Sequence, residues 1–273
     1  MERGRWQAAP VTRIDRFRAL HAEGTFLLPN PYDVGAARLL AALGFSAIAS
    51  TSSGFAATLG RLDMNVSLDE LLVHAGQLAA ATDLPLNVDS ERCFADDAAG
   101  VTSTVEQLAS AGAAGCSIED WNPATGAIDP IEVATARVAA AASGAAPSGL
   151  VLTARCENHL HGVHDLDDTV ARLVAYRDAG ADVVYAPGLV QLDQIRRVVA
   201  ETRVAVNVLI LPGGPSVPEL ADVGVRRIST GGLLSSIAQG AMVSAARRLL
   251  EIGTVSRDEP FLDRELAAGA LHD

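Results

Sequence analysis

Apolar residues in this chain fall into short continuous runs separated by longer stretches of helical periodicity. Four of the runs end in charged or amide side chains: Leu-Asn-Val-Asp-Ser-Glu (86–91), Cys-Ser-Ile-Glu-Asp (116–120), Leu-Thr-Ala-Arg-Cys-Glu-Asn (152–158) and Val-Ala-Val-Asn (204–207). A strand covered on both faces is apolar throughout instead of alternating, so these runs read as buried parallel strands. Eight candidate strands follow: Phe26–Asn30, Phe45–Ser50, Leu84–Asp89, Gly115–Glu119, Leu150–Arg155, Val183–Pro187, Val204–Leu209 and Arg226–Ser229. Between them, alanine-rich amphipathic stretches over 33–43, 67–82, 97–111, 129–142, 166–179, 191–200 and 217–223 predict helices. Gly44, Gly112, Gly180 and Gly224 each stand just past one of these helices, where a left-handed cap favours glycine.

This cadence predicts an α/β fold, a (β/α)8 TIM-type barrel, as one domain over 1–273. Residues 11–23 are placed to close the barrel bottom, and 233–273 reads as a C-terminal helical extension. Its first helix, Leu233–Ile252, carries more apolar residues than covering one strand requires, which predicts packing on a neighbouring subunit.

Composition narrows the chemistry. Of 273 residues 49% are hydrophobic, and 21 basic against 33 acidic side chains leave a net charge of −12 with no basic patch, so nucleic acid is not an expected partner. All the basic residues are arginine. The absence of lysine excludes Schiff-base aldolases, pyridoxal-phosphate enzymes and P-loop nucleotidases. Cys93, Cys116 and Cys156 form no paired framework, and no run reaches the length of a membrane span, so a cytoplasmic protein without membrane association is expected.

Charge at the C-terminal ends of several strands marks the face where barrels keep their chemistry. Asp89 and Glu91, with Glu119 and Asp120, put paired carboxylates on neighbouring strand ends, a hard-oxygen set suited to Mg²⁺ or to acid–base work; helix capping is the competing reading. Arg155 offers a rigid fork to a substrate carboxylate or an internal partner to Glu119 or Glu157. Arg61 and Arg92 lie on loops from which they could close over a ligand. Ser50-Thr51-Ser52-Ser53-Gly54 supplies hydroxyls and amides at a strand end. His159, His161 and His164 lack zinc-motif spacing and are expected at the surface or a subunit contact. Cys93 is the one thiol whose role the sequence leaves open.

These pieces, in this order, resemble the isocitrate lyase/phosphoenolpyruvate mutase superfamily from Leu28 to about Ile252. Val88-Asp89-Ser90-Glu91 is similar to its V-D-x-D/E element, Ser117-Ile118-Glu119-Asp120 to its I-E-D element, and Ala154-Arg155-Cys156-Glu157 to its A-R-x-D/E element. Ser50-Thr51-Ser52 and Gly60-Arg61-Leu62-Asp63 resemble its substrate loop and gating segment, and Asn207 its seventh-strand asparagine. The resemblance implies a Mg²⁺ site at Asp89, with Glu91 and Glu119 acting mostly through water. It implies substrate contacts from Ser50, Thr51, Ser52, Arg155 and Asn207, and puts Arg155, Glu119 and Asp63 nearest the chemistry. It also implies a homotetramer or dimer with exchanged C-terminal helices. The implied activity is Mg²⁺-dependent cleavage or formation of a C–C bond beside a small 2-oxo or 2-hydroxy carboxylate, through an enolate. Decarboxylation or hydrolysis of an oxaloacetate-type acid, phosphonopyruvate-type P–C chemistry, and a non-enzymatic 2-oxo-acid binding protein are the alternatives. Two specificity elements depart from the family. Trp121–Ala127 replaces the K-K-C-G-H loop of the isocitrate lyases, and Arg92-Cys93-Phe94-Ala95 replaces a glycine-rich turn.

Overall fold

The continuously apolar runs close into a cylinder. The computed structural model describes residues 11–271. Its strands are β1 (Phe26–Leu28), β2 (Ile48–Ala49), β3 (Leu86–Asp89), β4 (Gly115–Glu119), β5 (Trp121–Asn122), β6 (Ala127–Ile128), β7 (Val151–Arg155), β8 (Val183–Tyr185), β9 (Ala205–Leu209) and β10 (Arg227–Ser229). Eight of these run parallel in the order β1-β10-β9-β8-β7-β4-β3-β2. The Ala49 N–H donates to the Pro29 carbonyl at 3.0 Å, joining the two ends of that order. The (β/α)8 barrel expected from the sequence is the observed fold. The remaining strands, β5 and β6, form a separate antiparallel hairpin that the sequence pattern did not announce.

The helices are α1 (Arg13–Leu20), α2 (Val34–Ala42), α3 (Ser52–Thr58), α4 (Leu68–Ala81), α5 (Ala98–Ser110), α6 (Ile131–Ala145), α7 (Leu166–Asp178), α8 (Leu192–Thr202), α9 (Val217–Asp222), α10 (Leu233–Ile252) and α11 (Arg264–Ala270). Gly44, Gly112, Gly180 and Gly224 have φ of 86°, 97°, 109° and 90°, the left-handed exits their positions required. The predicted strands Phe45–Ser50 and Val183–Pro187 shorten to β2 and β8: β2 loses Phe45–Ala47 at its N-terminal end and Ser50 at the other, and β8 loses Ala186 and Pro187 to the loop of the catalytic face. Helix α3 lies where a loop was expected: Thr51 caps it, its side chain accepting from Gly54 N–H, and so nucleates a turn from Ser/Gly/Ala sequence.

Helix α1 plugs the barrel bottom as expected. Phe17 is fully buried against Leu28, Ala47, Ala49, Ala114, Val151 and Val183. Gly115 makes room for it, since a Cβ there would come within 2.6 Å of the Phe17 ring and 2.9 Å of the Val151 carbonyl. The main core lies between the outer face of the strands and the helix ring. Helix α10 behaves differently: Ser235 is its one buried residue, while Ile237, Met242, Val243, Leu249, Leu250 and Ile252 are exposed. Among the described residues, no helix is long and apolar enough to cross a membrane.

Candidate active site

A cavity of about 180 Å³ opens at the C-terminal ends of the barrel strands, lined among others by Ser50, Thr51, Ser52, Asp63, Asp89, Arg155 and Asn207. All the expected substrate-contacting residues therefore face one space. Asp89 ends β3 and is held on several sides. Its Oδ2 accepts the Ser52 N–H at 3.2 Å, and its Oδ1 accepts the Ser117 hydroxyl at 3.3 Å. Its own N–H donates to Ser50 Oγ at 2.8 Å. Asn30 fixes that loop in turn: its amide donates to the Ser50 carbonyl and its Oδ1 accepts the Thr230 and Gly231 N–H groups.

Arg155, the last residue of β7, stands at the centre of an acid cluster. Its guanidinium reaches Asp89 Oδ1 at 2.8 Å, Glu119 Oε2 at 3.3 Å and Glu157 Oε1 at 2.8 Å, and lies 5.5 Å from the centroid of the Tyr185 ring. The sequence left Arg155 with Glu119 or Glu157; it takes both, and Asp89 as well. Burial opposes its charge, yet Glu157, Glu119 and Asp89 hold its pKa far above the ordinary value. The acids show the converse strain. Burial, reinforced by Asp89 and Asp63, pushes Glu91 up to about 8. Burial likewise raises Glu119 and Glu157, which Arg155 only partly offsets. One arginine does not neutralise this group, so it suits a proton or a cation. Among the described residues, no set of three acids, histidines or cysteines converges at direct ligation geometry. That donor set fits Mg²⁺, which takes one or two direct carboxylates and keeps several waters.

Several expectations are corrected. Asp120 does not share the pocket: its carboxylate accepts the Tyr176 hydroxyl at 2.6 Å, Arg172 at 3.3 Å and the Glu157 N–H at 2.8 Å. Successive strand residues point to opposite faces, so Glu119 faces inward and Asp120 faces the helix layer, where it braces Glu157. Asn158, next along the chain, turns to helix α7, where its amide donates to Asp168 and Thr169. The loop arginines serve their own loops. Arg61 pairs with Glu70 at 2.8 Å, and Arg92 pairs with Asp129 at 2.9 Å. Cys93 is fully buried and burial pushes its thiol up to about 11, which removes it as a nucleophile at neutral pH.

The segment after β3 takes left-handed backbone at non-glycine residues. Glu91, Cys93 and Phe94 have φ of 48°, 62° and 50°. Arg137 holds it, donating to the carbonyls of Arg92, Ala95 and Asp96. The hairpin β5–β6 forms from the departing segment that begins at Trp121, and Trp121 stacks on His161 with centroids 3.5 Å apart. His159 and His164 lie 5.8 Å apart with tilted rings.

Tyr185, Ser117, Ser229 and Arg227 also line the cavity and were not singled out from the sequence. Arg227 carried little signal, since the strand reads Arg-Arg-Ile-Ser over 226–229 and nothing local tells the inward arginine from its neighbour.

Comparison with known proteins agrees with this geometry. The family model described as phosphoenolpyruvate phosphomutase matches residues 17–250. The chain is 44% identical to a Burkholderia cenocepacia J2315 protein provisionally designated lyase/mutase, covering 94% of this chain and 95% of that one with a TM-score of 0.90. It is 30% identical to the oxaloacetate decarboxylase of Paraburkholderia xenovorans over 92% of this chain and 86% of that one. The structure of 2,3-dimethylmalate lyase, at 25% identity, superposes with a TM-score of 0.83 over 96% of this chain and 95% of that one. With strand-end acids, a serine/threonine loop and an inward arginine on one barrel face, the chain belongs to the phosphoenolpyruvate phosphomutase family of the PEP mutase/isocitrate lyase superfamily.

Proposed function

We propose that the protein is a Mg²⁺-dependent enzyme that breaks a C–C bond beside the oxo or hydroxy group of a small carboxylate, through an enolate. The observation that carries this reading is Arg155 set among Asp89, Glu119 and Glu157 at the mouth of a small polar cavity. Asp89 would hold the metal directly, with Glu91 and Glu119 reaching it through water. When bound, Mg²⁺ acts as a Lewis acid on the substrate's oxo group and favours negative charge there. The chain's own residues bind and orient. Arg155 and the Asn207 amide take the carboxylate, while the Ser50–Ser52 loop offers hydroxyls and N–H groups to the oxo end. Asp63, which lines the cavity, would cover the ligand.

The hairpin favours decarboxylation of an oxaloacetate-type acid among the possible forms. Aldol-type cleavage of a 2-hydroxy acid needs a base for the hydroxyl proton and an acid for the leaving carbanion. Trp121, Asn122, Ala127 and Ile128 supply neither. Loss of CO₂ from a 2-oxo diacid leaves an enolate that water can protonate, so the missing acid costs less. The named relatives from Bradyrhizobium and Paraburkholderia that are oxaloacetate decarboxylases support the same choice.

The test is a product assay with Mg²⁺ on oxaloacetate, 2-methylisocitrate, 2,3-dimethylmalate and phosphonopyruvate. Oxaloacetate should yield pyruvate, and Asp89→Ala should lower that rate by about 100-fold or more. Full activity in excess chelator would remove the metal from the reading. Inactivity on all four would leave a 2-oxo-acid binding protein.

A further inference from the structure

Inside the barrel, beneath the acid cluster, lies a second arginine that no acid neutralises. Arg227 is only 2% exposed and lies in register with Asn207 on one side and Phe26 on the other. Its Nε–H donates to Asn207 Oδ1 at 2.9 Å and its NH2 to Thr153 Oγ1 at 2.9 Å. Its NH1 faces His21 Nε2 at 3.5 Å. That ring is neutral, because burial drives its pKa down to about 3. Its Nδ1 lies 2.8 Å from the Phe17 carbonyl, so the proton sits on Nδ1 and a lone pair faces Arg227. Every partner of Arg227 among the described residues is thus uncharged. Burial lowers its own pKa to about 9, which leaves it cationic at neutral pH.

An unpaired buried cation costs several kcal/mol, and a fold carrying one spends stability that a neutral side chain would save. Packing alone does not account for it, whereas the cavity does. Arg227, Asn207 and Ser229 all line it. An Nε–H can only donate, so the Asn207 oxygen must face Arg227. The amide nitrogen is thereby turned the other way, where one hydrogen goes to Ser229 Oγ at 2.9 Å and the second stays available. Arg155 shares its charge between three acids and the proposed carboxylate, whereas no acid among the described residues is paired with Arg227.

We propose that Arg227 is a positioning residue and fixed counter-charge for the anionic end of the ligand, locking Asn207 as a donor and making the cavity floor electropositive toward a small dicarboxylate. This rests on the reading of the cavity as a 2-oxo-acid site. Purely structural plugging of the barrel is the competing account, and the two differ in what charge does at constant packing.

The probes are oxalate, a dianion, and oxamate, its singly charged amide counterpart, each titrated calorimetrically with Mg²⁺ present. Arg227→Gln should weaken oxalate at least about tenfold and oxamate about threefold or less, and Arg227→Lys should restore most of the oxalate affinity; tenfold corresponds to about 1.4 kcal/mol. Thr153→Asp leaves the arginine in place but sets a carboxylate beside it. That variant should match or exceed the wild-type melting temperature while losing oxalate affinity to a similar extent. It decides the matter if Arg227→Gln does not fold. Oxalate affinity within about threefold of wild type in Thr153→Asp, or failure of that variant to fold, overturns the proposal. Wild-type protein that binds neither probe sinks the reading of the cavity itself, whereas wild-type binding with indifferent variants sinks only the role of Arg227.

Discussion

At the residue scale the site is governed by how few cations serve many acids. Arg155 satisfies Asp89, Glu119 and Glu157 with separate nitrogens, a task that needs the planar fork of guanidinium. Lysine gathers its three donors on one flexible nitrogen and cannot reach acids spread around a planar fork. Arg155→Lys should therefore not be mild: losing a charge-assisted, largely buried contact costs about 2–5 kcal/mol, roughly 30-fold to several thousand-fold in kcat/KM. Arg155→Met should lose at least as much. Steady-state kinetics on a substrate identified by the product assay checks this, and a loss below about threefold in both variants would make Arg155 a structural ion pair. The expected role of Asp120 failed for a reason visible at this scale. One residue along a strand reverses the face, and the Asp120 carboxylate belongs to Tyr176 and Arg172 in the helix layer.

At the scale of elements, the loop after β3 shows how non-glycine residues are held in left-handed backbone. Three non-glycine residues in left-handed conformations each cost about 1–2 kcal/mol. The Arg137 clamp on the carbonyls of Arg92, Ala95 and Asp96 compensates, and among the described residues the guanidinium of this buried arginine is hydrogen-bonded to those three carbonyls, with Nε left unpaired. Arg137→Leu should destabilise the protein by about 2–3 kcal/mol, since each carbonyl loses a charged donor. For a chain of this size that lowers Tm by about 4–12 °C in a thermal melt. Cleavage by a non-specific protease should shift toward residues 91–96. An unchanged Tm would show that the loop keeps its shape without the clamp.

For the whole molecule, the decisive feature is α10, a 20-residue helix with Ser235 as its one buried side chain. Ile237, Met242, Val243, Leu249, Leu250 and Ile252 are exposed along it, and Phe261 and Leu262 are exposed in the segment that follows. Large apolar side chains exposed in this number on one helix mark an interaction surface. A second copy of the chain is the proposed occupant, in a dimer or tetramer that exchanges these helices. Light scattering should report that mass at micromolar concentration. Leu250→Glu should shift the population toward smaller species, and a wild-type monomer would exclude the assembly.

How much of this was legible in the chain follows from the range of the forces involved. Apolar runs, helical periodicity and glycine exits are local properties, and they carried the barrel, the order of its strands and the acids at their ends. The predicted boundaries ran long at β2 and β8 because hydrophobicity does not say where a strand leaves the ladder. The α3 turn and the β5–β6 hairpin were invisible because capping by Thr51 and pairing of Trp121 with Ile128 draw on weak local preferences that neighbouring structure completes. Partnership is non-local. Arg155 meets Asp89 across 66 positions of sequence, and Arg227 meets Thr153 across 74. Adjacent arginines make the distinction plainly. Arg226 donates outward to the Gly24 carbonyl, while Arg227 points into the barrel and meets Asn207. Composition treats the two alike; the pleat of the strand and the closure of the cylinder put one in water and the other beneath the cavity.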